Sequence, residues 1–147
     1  MREIKFRGKT KEGQWIIGSY FCMHHNDDRD HLHHFIISDG TPIPKNKTIV
    51  DIQVEVAKSS IGQFIGIKDS KGMEIYEGDI LEYYNKITKK SHLSGIVIYN
   101  EHAAAFNVVN PENGYYLYIK PTDDGIDETL TIIGNIHDNP EMMEVNQ

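Results

Sequence analysis

The chain reads as a mostly-β protein, a small barrel or sandwich. Short runs rich in Val, Ile, Tyr, Phe and Trp recur at close spacing, and clusters of Gly, Asn, Asp and Pro separate them. No segment sustains the apolar period of an amphipathic helix. The 147 residues, 39% hydrophobic and 10% aromatic, suffice for one ordinary domain or two very small ones sharing a core. Such a chain buries a core without disulfides or structural metals.

Taken in order, Ile4-Lys5-Phe6-Arg7 alternates apolar and charged residues and predicts a half-buried strand. A polar turn, Gly8 to Gly13, leads to Trp15–Phe21, a second strand that completes a hairpin. Met23 to Leu32 is dense in His and Asp and reads as a polar insertion. His34–Ser38 is a short strand stopped by Asp39-Gly40, a favoured turn dipeptide. Pro42 and Pro44 hold the next stretch in loop or edge conformation. From Ile49 to Val56, the side chains of Val50, Ile52, Val54 and Val56 alternate with Asp51, Gln53 and Glu55, which predicts a strand with one buried face. Strands are expected at 62–67, 74–84, 95–99, 104–109, 115–119 and 130–136. Asn139-Pro140-Glu141 can open a short terminal helical turn, with Pro in the first position. A soft boundary near Gly62 divides the chain into a β-rich region, 1–61, and a second region, 62–147.

Charge and cysteine content narrow the setting. The single cysteine, Cys22, cannot form an internal disulfide. The N-terminus lacks the apolar stretch of a signal peptide, and no run has the roughly 20 apolar residues a spanning helix needs, so a cytoplasmic location is expected, with no membrane partner. Net charge is -7, unevenly spread: residues 1–20 carry +3 and residues 121–147 carry -7. Overall acidity disfavours a protein that coats nucleic acid, because phosphate contacts need a basic footprint. The basic N-terminal arm has a simpler use in protecting an edge strand.

The run from Gly62 through Gly66, Asp69, Gly72, Ile75, Tyr76, Glu77, Gly78, Asp79 and Ile80 resembles the signature of the YopX family. So does the start, Arg2 to Gly8 followed by Trp15 and Gly18. The end, Ile133-Gly134-Asn135-Ile136-His137-Asp138-Asn139-Pro140-Glu141, resembles the family's closing motif. The departures are Ile65, where the family has Thr more often, Ile67 in place of Leu, and the His-rich stretch. The resemblance implies a phage or prophage protein whose second region is an SH3-like β-barrel on which the N-terminal sheet packs. It supplies no activity and no catalytic residues. Elementary chemistry explains the signature as scaffold: Gly72 and Gly78 permit tight turns, Asp69 bonds turn amides, Asp79 holds a turn, and Ile75, Tyr76, Ile80 and Leu81 fill a core.

Each remaining constellation has a plainer role beside its chemical one. His31, His33 and His34 are candidate metal ligands, and in a strand His31 and His33 share a face. They lack the fixed spacing and thiolates of a structural zinc site, and an insertion between strands is the simpler reading. Cys22 beside them suggests a nucleophile, but a lone cysteine after an apolar strand is more often a small core residue. Asp123-Asp124 and Asp127-Glu128 look solvated and lack EF-hand spacing. Tyr115, Tyr116 and Tyr118 place aromatics on both strand faces, near a basic loop of Lys86, Lys89 and Lys90. One face would fill the core, and the other would serve an interface or a stacking platform. No phosphate loop, dinucleotide fingerprint or zinc-protease motif occurs, and no cofactor is expected. The first functional expectation is therefore a non-enzymatic accessory protein that binds a host or phage protein, and that can form a homo-oligomer. A nucleic-acid-associated factor is second, and a metal-dependent enzyme using the His-rich segment is third.

Overall fold

A computed structural model describes residues 3–25, 28–40, 42–114, 116–119 and 123–143. The described residues form two antiparallel sheets, of six and five strands, with one short α-helix. The chain divides into two compact units, Met1–Gln63 and Phe64–Gln147.

In the first unit, β1 (Phe6–Lys9) and β2 (Trp15–His25) form the expected hairpin, with Phe6 opposite Gly18 and Lys9 opposite Trp15. β2 then pairs with β3 (Asp28–Ser38) along its length. The strand order is β4-β3-β2-β1, and Gly62 and Gln63, which open β5, lie on the outer edge of β1. The core face carries Ile36 and Val56, and there is no room on it beside Gly8, where a Cβ would stand 2.9 Å from Val56.

Two expectations for this unit are corrected. Residues 49–56 do not form one strand. Ile49–Ile52 is a single helical turn, α1, followed by a two-residue strand, β4 (Val54–Glu55). Local chemistry outweighs the alternation here. The Asp51 carboxylate accepts hydrogen bonds from the Thr48 amide (2.7 Å) and hydroxyl (2.9 Å), and the Asp51 amide bonds back to Thr48 O. Val50, expected on the buried face, is 64% exposed, while Val56 reaches the core. The His-rich stretch is not an insertion either. Its described residues continue β2 and β3, because cross-strand pairing satisfies their backbone whatever their side chains are.

In the second unit, β5 (Gly62–Lys68) continues past Phe64 and pairs with β6 (Glu74–Tyr76). The strand expected over 74–84 is broken at Glu77-Gly78, which separates β6 from β7 (Asp79–Asn85). Gly78 adopts φ +82°, a region that side chains disfavour, and Gly72 adopts φ +80° in the preceding turn. β8 (Lys90–Asn100), β9 (Ala105–Val109), β10 (Tyr116–Tyr118) and β11 (Leu130–Asn135) complete the order β10-β9-β8-β7-β11. The sheet stays open, and no closed barrel forms among the described residues. Ile65, Ile67, Ile75, Leu81, Val97, Val108 and Leu130 make its core. A short 3-10 turn at Pro140–Met143 follows, with Pro140 at its first position.

Candidate functional site

The signature residues of the second unit are built into its backbone. Asp69 is 1% exposed. Its Oδ1 accepts from the amides of Lys71 and Met73, each at 2.9 Å, and its Oδ2 accepts from the Ile132 amide at 3.0 Å. One carboxylate thus fixes the β5–β6 turn and ties it to β11. Asp79, equally buried, accepts from the Tyr76 amide at 2.8 Å across the turn that contains Glu77 and Gly78. Gly78 in turn bonds Val97 O through its amide and Ile136 N through its carbonyl. Tyr76 packs on Phe64 and donates its hydroxyl to Glu74 at 2.7 Å. Ile75 and Ile80 are fully buried. Gly66 lies in β5 between core residues Ile65 and Ile67.

The closing motif behaves the same way. Asn135 Oδ1 accepts from the amides of His137 and Asp138, and its Nδ2 donates to Asp138 Oδ2 at 2.8 Å. Asn139 Oδ1 accepts from the Asn135 amide and sits where a Cβ on Gly134 would be, 2.6 Å away. Buried carboxylates and amides spent on backbone amides shape turns and leave little for chemistry.

In the acidic loop Asp123, Asp124 and Glu128 are exposed, as expected, and its side chains also hold local turns. Asp127 Oδ1 accepts from the Thr129 amide and hydroxyl, and Asp124 Oδ1 accepts from the Ile126 amide. Glu128 pairs with Lys86 at 3.0 Å, and this holds the Lys86 ammonium above its ordinary pKa. Lys89 and Lys90 are exposed. Tyr115 lies outside the described residues, as do the side chains of Tyr116 and Tyr118, so the expected aromatic platform does too.

The first unit presents the more open surface. β1 pairs with β2 only as far as Gly18, and β4 covers β3 only at Phe35 and Ile36. Beyond these points β2 and β3 continue as a two-stranded ribbon. Two-stranded ribbons cannot bury both faces, and here Met23 is 39% exposed and Leu32 is 44% exposed. One ribbon face carries Phe21 stacked on Phe35, with centroids 5.5 Å apart, followed by His33 and Met23. His33 Nδ1 donates to Glu55 Oε1 at 2.7 Å, tying β3 to β4.

On the opposite face Tyr20 Oη and His34 Nδ1 share a hydrogen bond of 2.7 Å, with the rings stacked 8° from parallel. Partial burial pushes the Tyr20 phenol above its ordinary pKa, and a hydrogen bond with Cys22 adds to the shift. Cys22 is exposed rather than in the core, because it lies past the last residue of β2 that β1 covers.

The three candidate ligands do not converge. His33 serves Glu55, His34 faces Tyr20 from the opposite side, and the backbone oxygen of exposed His31 lies 3.2 Å from His24 Nδ1. Among the described residues no three His, Cys, Asp or Glu side chains are grouped to hold a metal ion. No described helix is long and apolar enough to cross a membrane.

Fold and surface together define a mostly-β protein of two small units, with a ribbon projecting from the first and a turn-locking polar signature in the second. The chain belongs to the YopX family: the family described as YopX protein matches residues 5–144. Among solved structures it is similar to the crystal structure of protein EF1440 from Enterococcus faecalis, at 22% identity and a TM-score of 0.51. That match covers 98% of this chain and 100% of the other. No curated protein matches.

Proposed function

We propose that the chain is a non-enzymatic phage or prophage accessory protein, acting in the cytoplasm as a protein-interaction module. One observation carries this reading. Among the described residues, the outer half of the β2–β3 ribbon exposes Met23 and Leu32, and the strands β1 and β4 do not pair along it. Exposed apolar side chains beside free strand edges favour protein contacts, including contacts with a second copy of the chain. In this reading the second unit is a partly open SH3-like barrel whose signature residues maintain its own turns.

A second reading, nucleic-acid association, rests on β1 and β2. There the Arg7 guanidinium lies 4.8 Å from the centre of the Trp15 ring, and Lys9 Nζ lies 5.7 Å from it. Cations on a half-buried aromatic also occur at single-strand binding surfaces. The net charge of -7 weighs against it.

The deciding experiment is a pull-down of tagged protein from host lysate with and without nuclease, scored by mass spectrometry. A stoichiometric protein that survives nuclease, and is lost from Met23→Asp and Leu32→Asp variants of unchanged melting temperature, is the expected result. Capture of nucleic acid alone, lost on nuclease treatment, would overturn the reading and favour the second.

A further inference from the structure

Past Gly18, where β1 stops pairing with β2, no strand of the described residues lies along the outer edge of β2. In an antiparallel ladder, alternate residues turn both backbone groups toward the same neighbouring strand. Two hydrogen bonds fix which residues of β2 face which way. Ile17 O accepts from the Asp39 amide, just beyond the end of β3, so every second residue from Ile17 onward faces β3. His34 O accepts from the Val56 amide on the far side of β3, so Cys22, which stands opposite His34, is not bonded to it. The N–H and C=O groups of Tyr20, Cys22 and His24 therefore point out of the sheet edge. No described residue bonds them there.

Edge strands are ordinarily defended by charge, by proline or by a bulge. Ser19–His25 contains no Asp, Glu, Lys, Arg, Gly or Pro, and its register with β3 runs unbroken as far as His24. The other edge of the ribbon is defended, by β4 at Phe35 and Ile36 and by the exposed charges of Arg29 and Asp30. Along the undefended edge Cys22, Met23 and His24 are exposed, and Tyr20 and Phe21 are half-buried.

We infer that this edge pairs with the same edge of a second copy of the chain, antiparallel about a two-fold axis at Cys22. Only that register engages all three outward residues of both copies, with Cys22 opposite Cys22 and Tyr20 opposite His24 on each side of the axis. The side chains then complement themselves. Phe21 meets Met23 of the other copy twice, an aromatic–thioether contact, and Tyr20 meets His24 twice. No like charges are brought together, which matters in a chain of net charge -7. A two-fold contact of this kind closes on itself and stops at two chains. The inference rests on the interaction-module reading and gives it a partner, a mode and a register.

The test is sedimentation equilibrium of the full chain in reducing buffer over a concentration series, and a two-chain species is the expected result. Cys22→Lys and Cys22→Asp each set like charges face to face at the axis, so each should weaken the dimer about tenfold or more, with circular dichroism unchanged. An equimolar mixture of the two should recover the two-chain species, because Lys then faces Asp. Mixing would not rescue a folding defect. Should the variants misfold, cross-linking of the otherwise unaltered chain decides. Opposed residues of a bonded pair lie about 5.5 Å apart between Cα atoms, within disulfide range, so a mild oxidant should join Cys22 to Cys22. Ser19→Cys in a Cys22→Ser chain should cross-link about tenfold more slowly, since the two copies of position 19 would stand about 20 Å apart along the strands. A single-chain species throughout, a dimer indifferent to both charged variants, no recovery on mixing, or equal cross-linking at both positions would overturn the inference. A single-chain species beside a nuclease-resistant partner in the pull-down would refute the self-pairing alone and leave the interaction reading standing. Nuclease-sensitive capture would refute that reading itself.

Discussion

Replacing Asp69 by Asn distinguishes a scaffold carboxylate from a functional one. Asp69 accepts three backbone amides: Lys71 and Met73 on Oδ1, and Ile132 on Oδ2. It is 1% exposed, so water does not compete. Asparagine keeps one acceptor oxygen, which can retain the two turn amides. Its NH2 then faces the Ile132 amide, donor against donor. Hydrogen bonds to a charged group contribute about 1.5–3 kcal/mol each, and an orphaned buried donor costs about 1–3 kcal/mol. The expected loss is therefore about 2–4 kcal/mol for Asp69→Asn. It is larger for Asp69→Ala, which abandons all three amides. Urea unfolding measures the total. Amide hydrogen exchange locates it, with protection falling first at Ile132 and then at Lys71 and Met73. A loss below about 1 kcal/mol, or unchanged protection at Ile132, would refute the scaffold role of the signature aspartate.

Further outcomes follow from the same geometry. Gly95→Ala should abolish folding of the second unit, since a Cβ there would lie 2.0 Å from Val109 O, which is backbone and cannot move aside; soluble expression and circular dichroism report this. Gly134→Ala should cost about 1–3 kcal/mol in a thermal melt, less than Gly95→Ala, because the obstruction is the Asn139 side chain. The Thr48 hydrogen bonds lower the Asp51 pKa, so the stability they give α1 is present above the ordinary carboxylate pKa and is lost as pH falls through the lowered value. Protection of the Thr48 amide, taken relative to its intrinsic exchange rate, should fall only below the ordinary carboxylate range, and an unprotected Thr48 amide at neutral pH would contradict the cap. The raised Tyr20 pKa works in the opposite direction, giving stability below the ordinary phenol range that is lost as pH rises through the folded value. Absorbance titration should show a late-ionising component that Tyr20→Phe removes.

Near-neighbour patterns along the chain specify the β character, the first hairpin, most of the second unit's strands, and the turns at Gly72 and Asp39-Gly40. These depend on interactions between near neighbours: alternation, β-branched and aromatic runs, and residues that tolerate unusual backbone angles. The sequence also carried the family signature, whose aspartates and asparagines act on amides mostly within four residues. Where it misled, two local signals competed. Residues 49–52 alternate like a strand, yet Thr48 and Asp51 close a helical turn.

Tertiary structure alone decided the rest. Asp69 reaching Ile132 is a contact 63 residues apart in sequence, and His33 reaching Glu55 spans 22. The His-rich stretch looked like an insertion because its side chains are polar, but its place is set by backbone pairing with the strand before it. The course of Gln53–Ala57 depends on two edges, of β3 and β1, being bridged by consecutive amides at Val56 and Ala57. No composition or spacing rule encodes that closeness, because it results from how a twisted three-stranded sheet brings its outer edges within reach of one short segment.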